Sequence, residues 1–198
     1  MKKLLFVLVA LMMLPVTAQE FKEGVHYEVI AEEGTAKPEI KEFFSFYCIH
    51  CYRFEPIAAA MKDAYPKAFE KSHIVSHPTL ELMARGFAAA KLFKKEEPIS
   101  QAFYERIHAQ KKQINTEEDL KAIFHVNGVS ADKFEKAMKH PLVEKQLNDM
   151  DRDMRAYNIN ATPTFIVNGK YRLKTEGFRD SEDFMADFVK AAGYLMEM

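Results

Sequence analysis

The run "EIKEFFSFY" (Glu39 to Tyr47) follows Pro38 and ends directly against Cys48. It is rich in aromatic residues, holds no glycine or proline, and reads as a buried central strand. Immediately beyond it, Phe54, Ile57, Ala58, Met61 and Tyr65 recur at spacings of three and four, one face of a helix limited by Pro66. A buried strand that passes without a linker into an amphipathic helix is a building unit of α/β sheets. "HIVSH" (His73 to His77), ended by Pro78, is expected to be the next strand, parallel to the first because a helix crosses between them.

The remaining pattern completes an α/β fold class. "HYEVI" (His26 to Ile30) alternates weakly and reads as a short edge strand. From Thr79 to Tyr157 the signals are all helical. Leu80, Met83, Phe87 and Ala90 form one apolar face, and Pro98 suits a first turn ahead of Ile99, Phe103 and Ile107. "TEED" (Thr116 to Asp119) has capping-box form, Gly128 is a helix stop, and Ser130 is expected to cap the next helix. Val143, Leu147, Met150, Met154 and Tyr157 then mark a longer helix after Pro141. "TFIVNGKYRL" (Thr164 to Leu173) reads as a hairpin with its turn at Asn168 to Lys170, and a last helix follows Ser181.

The N-terminus carries an export signal. Lys2 and Lys3 precede an apolar stretch from Leu4 to Leu14, and small residues at Val16 and Ala18 predict cleavage after Ala18. Eleven apolar residues fall short of the ~20 needed to span a bilayer. The net charge is −1, and no basic block follows the leader, so neither nucleic acid nor an anionic membrane is an expected partner. The protein is expected to be exported and soluble.

Export bears on the only two cysteines, Cys48 and Cys51. Outside the cytoplasm paired thiols become disulfides. A bridge closing so short a loop contributes only ~2 kcal/mol by chain entropy, against ~4.7 for a loop of 100 residues. A structural staple is therefore a poor reading. Haem attachment requires C-x-x-C-H, whereas Tyr52 follows Cys51. Structural zinc requires four ligands, so His50, His73 or His77 would have to converge on the cysteines. No G-x-S-x-G elbow supports a serine hydrolase. Dithiol–disulfide exchange remains. At a helix start the sulfur of Cys48 lies near unpaired backbone N–H groups, which favour a thiolate nucleophile, and Cys51 one turn on can resolve a mixed disulfide. His50, when protonated, adds positive charge. Stabilising the reduced form raises the reduction potential by ~30 mV per 1.4 kcal/mol, so the motif leans towards an oxidant.

"EFFSFYCIHCYRFEP" together with the distant "ATPTFIVNGKYRL" resembles the DsbA family of periplasmic thiol:disulfide oxidoreductases, over essentially the whole mature chain. The resemblance implies a thioredoxin-like fold, a central mixed sheet flanked by helices, with an inserted all-helical domain. Its expected parts are a signal peptide at 1–18, the thioredoxin-like domain at 19–78 and 158–198, and the insertion at 79–157. It implies a Cys48–Cys51 redox disulfide in which Cys48 is the exposed nucleophile and Cys51 the buried partner. His50 would tune the potential, Thr162-Pro163 would be a cis-proline loop facing the disulfide, and the Thr162 backbone would pair with an extended substrate. Glu42, six residues before Cys48, would be the buried acid that relays the Cys51 proton; an exposed strand-end carboxylate is the alternative. No cofactor or metal is implied. The implied partners are reduced, unfolded exported proteins and a DsbB-type inner-membrane protein that re-oxidises a monomeric enzyme in the periplasm.

Two departures from the family are expected. Ile49 replaces the usual proline, which restores a backbone N–H and frees φ at the helix start, so the potential can move in either direction. Val75 falls where many members carry a strand lysine, which would leave Glu42 without a cation. Glu55 reads as a solvated helix carboxylate and His77 as a surface histidine. Alternative functions are a disulfide isomerase or reductase, or a thioredoxin-fold binding or chaperone module with a specialised redox role.

Overall fold

The computed structural model describes residues 21–198; the expected leader and its cleavage site after Ala18 lie outside the described residues. Strand β1 (Tyr27–Val29) is followed by β2 (Ile40–Phe44), α1 (Ile49–Ala64) and β3 (Phe69–His73). Helices α2 (Pro78–Leu92), α3 (Glu96–Tyr104), α4 (Glu117–Val126), α5 (Ala131–Met138) and α6 (Pro141–Ala156) come next, with a π-helical turn at Glu105–Ala109. The chain closes with β4 (Thr164–Val167), β5 (Tyr171–Leu173), a 3-10 turn at Thr175–Phe178 and α7 (Phe184–Glu197). The five strands lie in the order β1-β5-β4-β2-β3. Only β2 and β3 are parallel; β4 is antiparallel to β2 and β5, and β1 is antiparallel to β5.

The central strand is β2. All five of its residues are buried, including Lys41 and Glu42, because it has a neighbour on each side and helices over both faces. The β4–β5 hairpin turns where Asn168 and Gly169 take φ of 51° and 63°, a pair of left-handed residues matched to the twist of the strands. The parallel partner of β2 differs from expectation. It is Phe69–His73, not His73–His77, and it pairs in register from Ile40↔Phe69 to Phe44↔His73. Its sequence, FEKSH, disguises a strand because Glu70 and Lys71 interrupt the apolar pattern. "HIVSH" contributes only His73 to the strand, and His77 is the exposed N-cap of α2 with no side-chain cap bond.

The helices from Pro78 to Ala156 form a block inserted between β3 and β4. Thr116 and Asp119 make both bonds of the capping box, but the Ser130 side chain, although at the N-cap of α5, makes no cap bond. The apolar interior has two parts. One lies among the sheet, α1 and α7, around Ile40, Met61, Phe165, Val167 and Phe188. The other fills the helical block and reaches Phe44, Phe46 and Cys51. The turn that leads into α1 therefore rests on the core of the inserted helices.

Candidate redox site

Cys48 is the N-cap of α1, with extended backbone, and Ile49 is the first helical residue. The amide of Cys51 donates to Cys48 Sγ at 3.3 Å. No acidic residue occupies the first turn, so nothing there opposes negative charge on the sulfur at the positive helix end. Cys48 is half-buried, Cys51 is fully buried, and both are free thiols. Burial pushes the Cys51 thiol far above its ordinary range. The two sulfurs thus differ in environment: one meets solvent and the Cys51 amide, and the other is held in its neutral form.

The Thr162–Pro163 peptide is cis and brings the Thr162 carbonyl to the redox centre, where it accepts from Cys48 Sγ at 3.3 Å. Cys48 and Thr162, 114 positions apart in the chain, meet here because β4 pairs directly with β2. Ile49 and His50 are exposed on the first turn. The His50 side chain makes no hydrogen bond among the described residues.

Glu42, the acid named from the sequence, belongs to a charged cluster whose other members, Lys71 and Glu55, the sequence does not point to. Glu42 is fully buried, so it is not the exposed strand-end carboxylate of the alternative reading. It is the register partner of Lys71 on the parallel strand β3. The Lys71 ammonium lies 3.4 Å from Glu42 Oε2 and 2.5 Å from Glu55 Oε1. The expectation that Val75 leaves Glu42 without a cation is overturned: the lysine is four residues earlier, since β3 begins earlier than expected. Glu55 is likewise no solvated carboxylate but the second partner of Lys71. Burial raises the Glu42 pKa from 4.5 to about 7, although Lys71 pulls it down. Burial works against the Lys71 charge, but Glu42 and Glu55 outweigh it and hold the ammonium above its ordinary value. A cavity of ≈ 560 Å³ opens beside Glu55 and Lys71, with Tyr52, Ala58, Lys91 and Tyr104 in its walls. Lys71 and Glu55, but not Glu42, line it.

The chain matches the DSBA-like thioredoxin domain family over residues 66–190. It is 32% identical to the thiol:disulfide interchange protein DsbA of Haemophilus influenzae, over 91% of this chain and 89% of that one. It belongs to the DsbA-like family. Solved structures share the fold: the disulfide oxidoreductase DsbA from Proteus mirabilis superposes with a TM-score of 0.81 at 24% identity, over 90% of this chain and 98% of that one. The same protein has been solved in complex with the non-covalently bound peptide PWATCDS; that structure gives a TM-score of 0.79 at 22% identity, over 90% of this chain and 100% of that one. This DsbA-like protein is a thiol:disulfide oxidoreductase of thioredoxin-like fold, in agreement with the sequence resemblance. Among its described residues no helix is long and apolar enough to cross a membrane.

Proposed function

We propose that this DsbA-like protein is a periplasmic oxidase that donates the Cys48–Cys51 disulfide to reduced exported proteins. The observation that carries the reading is Cys48 at the N-cap, its sulfur accepting the Cys51 amide and lying against the carbonyl before a cis-proline. A substrate thiolate attacks Cys48 Sγ, the Cys48–Cys51 bond breaks, and Cys51 leaves as a thiolate. Because burial disfavours that anion, it takes up a proton. Glu42, titrating near neutrality, is the proposed donor, recharged through Lys71, Glu55 and the adjoining cavity. A second substrate thiolate then attacks the substrate sulfur of the mixed disulfide and expels Cys48. The substrate is oxidised by two electrons and the enzyme is left as the dithiol.

Extended substrate would lie along Thr162-Pro163, pairing with the Thr162 backbone as an added strand. The peptide complex of the Proteus mirabilis relative supports a peptide-binding face in such folds. His50 and Ile49 are proposed to tune the potential. The proposed division is a signal peptide at 1–18, cleaved after Ala18, a thioredoxin-like domain at 19–78 and 158–198, and a helical domain at 79–157. The protein would act as a monomer, re-oxidised by a DsbB-type inner-membrane partner. Oxidative refolding of a reduced substrate tests the proposal: Cys48→Ser should abolish the activity, and activity retained by that variant would refute the mechanism. Cys51→Ala should trap mixed disulfides with exported clients.

A further inference from the structure

Two histidines outside the C-x-x-C motif converge on a single residue just ahead of it. The amide of Phe46 donates to His73 Nε2 at 3.1 Å. His108 Nε2 lies 2.7 Å from the Phe46 carbonyl. A carbonyl only accepts, so His108 carries a proton on Nε2. Phe46 and Tyr47 are the two central residues of the turn between β2 and α1, which is closed by the Cys48 amide donating to the Ser45 carbonyl at 3.0 Å. The peptide between the two central residues is the unit that inverts when a turn changes between types I and II. Here both of its ends are held. His108 binds its carbonyl, and Ser45 Oγ accepts its Tyr47 amide at 3.2 Å. The Tyr47 side chain is also tied to the helical block: its hydroxyl donates to the Ile114 carbonyl at 2.7 Å and accepts from the Ile114 amide at 3.2 Å.

His108 comes from the π-helical turn Glu105–Ala109. Such turns are rare and cluster at functional sites. Its ring stacks on Tyr52 at 5.1 Å and an interplanar angle of 6°, which fixes its orientation against α1. We infer that His108 is a positioning residue for Cys48: by holding the Phe46 carbonyl it fixes the turn that presents the nucleophile, and it makes the inserted helices part of the redox centre. The inference rests on the proposed role of Cys48 as nucleophile. Its chemical consequence is directional. With the turn held, Cys48 Sγ stays where the Cys51 amide reaches it, which favours the reduced protein. Releasing the peptide weakens that contact and makes the disulfide more stable.

The test compares His108→Phe, which keeps a ring against Tyr52 but has no donor, with His108→Gln, which restores an N–H of similar reach. The readout is the equilibrium of each full-length protein with glutathione. His108→Phe should shift the constant by about threefold or more towards the disulfide, about 14 mV for this two-electron couple, and His108→Gln should return to within about twofold of wild type. A smaller shift in His108→Phe, or a similar shift in both variants, overturns the inference. If His108→Phe does not fold, the ring nitrogens of the wild-type protein decide by NMR. A proton on His108 Nε2 is required, and a neutral ring protonated only on Nδ1 overturns the assignment. Failure of the wild-type protein to exchange with glutathione at all would instead remove the functional reading of Cys48, while the NMR arm would still judge the hydrogen bond.

Discussion

His73 makes acid stability measurable at one residue. Its ring is fully buried, stacked on Phe46 at 5.3 Å, and bonded through both nitrogens. Nδ1–H donates to the Ile74 carbonyl at 2.7 Å, and Nε2 accepts the Phe46 amide at 3.1 Å. Only the neutral ring satisfies both; a second ring proton would face the Phe46 N–H. Burial, reinforced by the Lys71 charge and opposed by the Ile74 bond, lowers its pKa from 6.5 to about 4. The unfolded chain therefore binds a proton that the folded chain refuses. Stability from this group is fully present above about pH 6.5 and is lost as pH falls towards 4. At 1.36 kcal/mol per unit the loss is about 3 kcal/mol over that window. Urea unfolding of wild type and His73→Gln across the window isolates it, because Glu42, which titrates there with the opposite sign, is present in both proteins. The advantage of wild type should shrink by about 1.4 kcal/mol per pH unit on acidification. A pH-independent difference, together with a His73 ring that titrates near its ordinary value by NMR, would refute the reasoning.

Four further outcomes follow from the same contacts. Glu42→Gln should gain stability relative to wild type as pH rises through about 7, because a raised carboxyl pKa means stability present below 4.5 and lost above the folded value; a pH-independent offset in urea unfolding would contradict this. Lys71→Met leaves Glu42 and Glu55 without their shared cation, and should cost about 3–5 kcal/mol at pH 8 and distinctly less at pH 5, where Glu42 is neutral. Phe46→Ala removes a fully buried ring packed on Phe44, Phe87, Phe103 and Tyr104, and should cost about 3–5 kcal/mol in thermal or urea unfolding. Gly177→Ala would place a Cβ 2.2 Å from the Val25 carbonyl oxygen, backbone that cannot swing aside, and should destabilise by about 1–3 kcal/mol.

The parts of the fold set by local chemistry were legible in the sequence. The apolar face of α1, the Thr116 capping box and the turn within Asn168 to Lys170 all depend on neighbouring residues and stand at their expected places; the aromatic strand is there too, but it ends at Phe44, and Ser45 to Cys48 form a turn instead of continuing it. The cysteine spacing and the helix start likewise exposed the redox pair. What stayed hidden depends on contacts between distant segments. β3 escapes an apolar pattern because Glu70 and Lys71 look like surface residues, yet the parallel register sets Lys71 beside Glu42. Glu55 reads as a surface carboxylate for the same reason, since its partner lies on another element. His108 carried no local signal. It reaches Phe46 through a π-helical turn, and only the folded chain shows that the inserted helices touch the peptide two residues before Cys48.

The environment of Cys48 and Cys51 makes the protein an oxidant. The equilibrium of the Cys48–Cys51 pair with reduced and oxidised glutathione measures this directly. A reduction potential above about −200 mV is expected, so that the disulfide is readily given up to substrate thiols. A value near thioredoxin's, about −270 mV, would contradict it and make the protein a reductant.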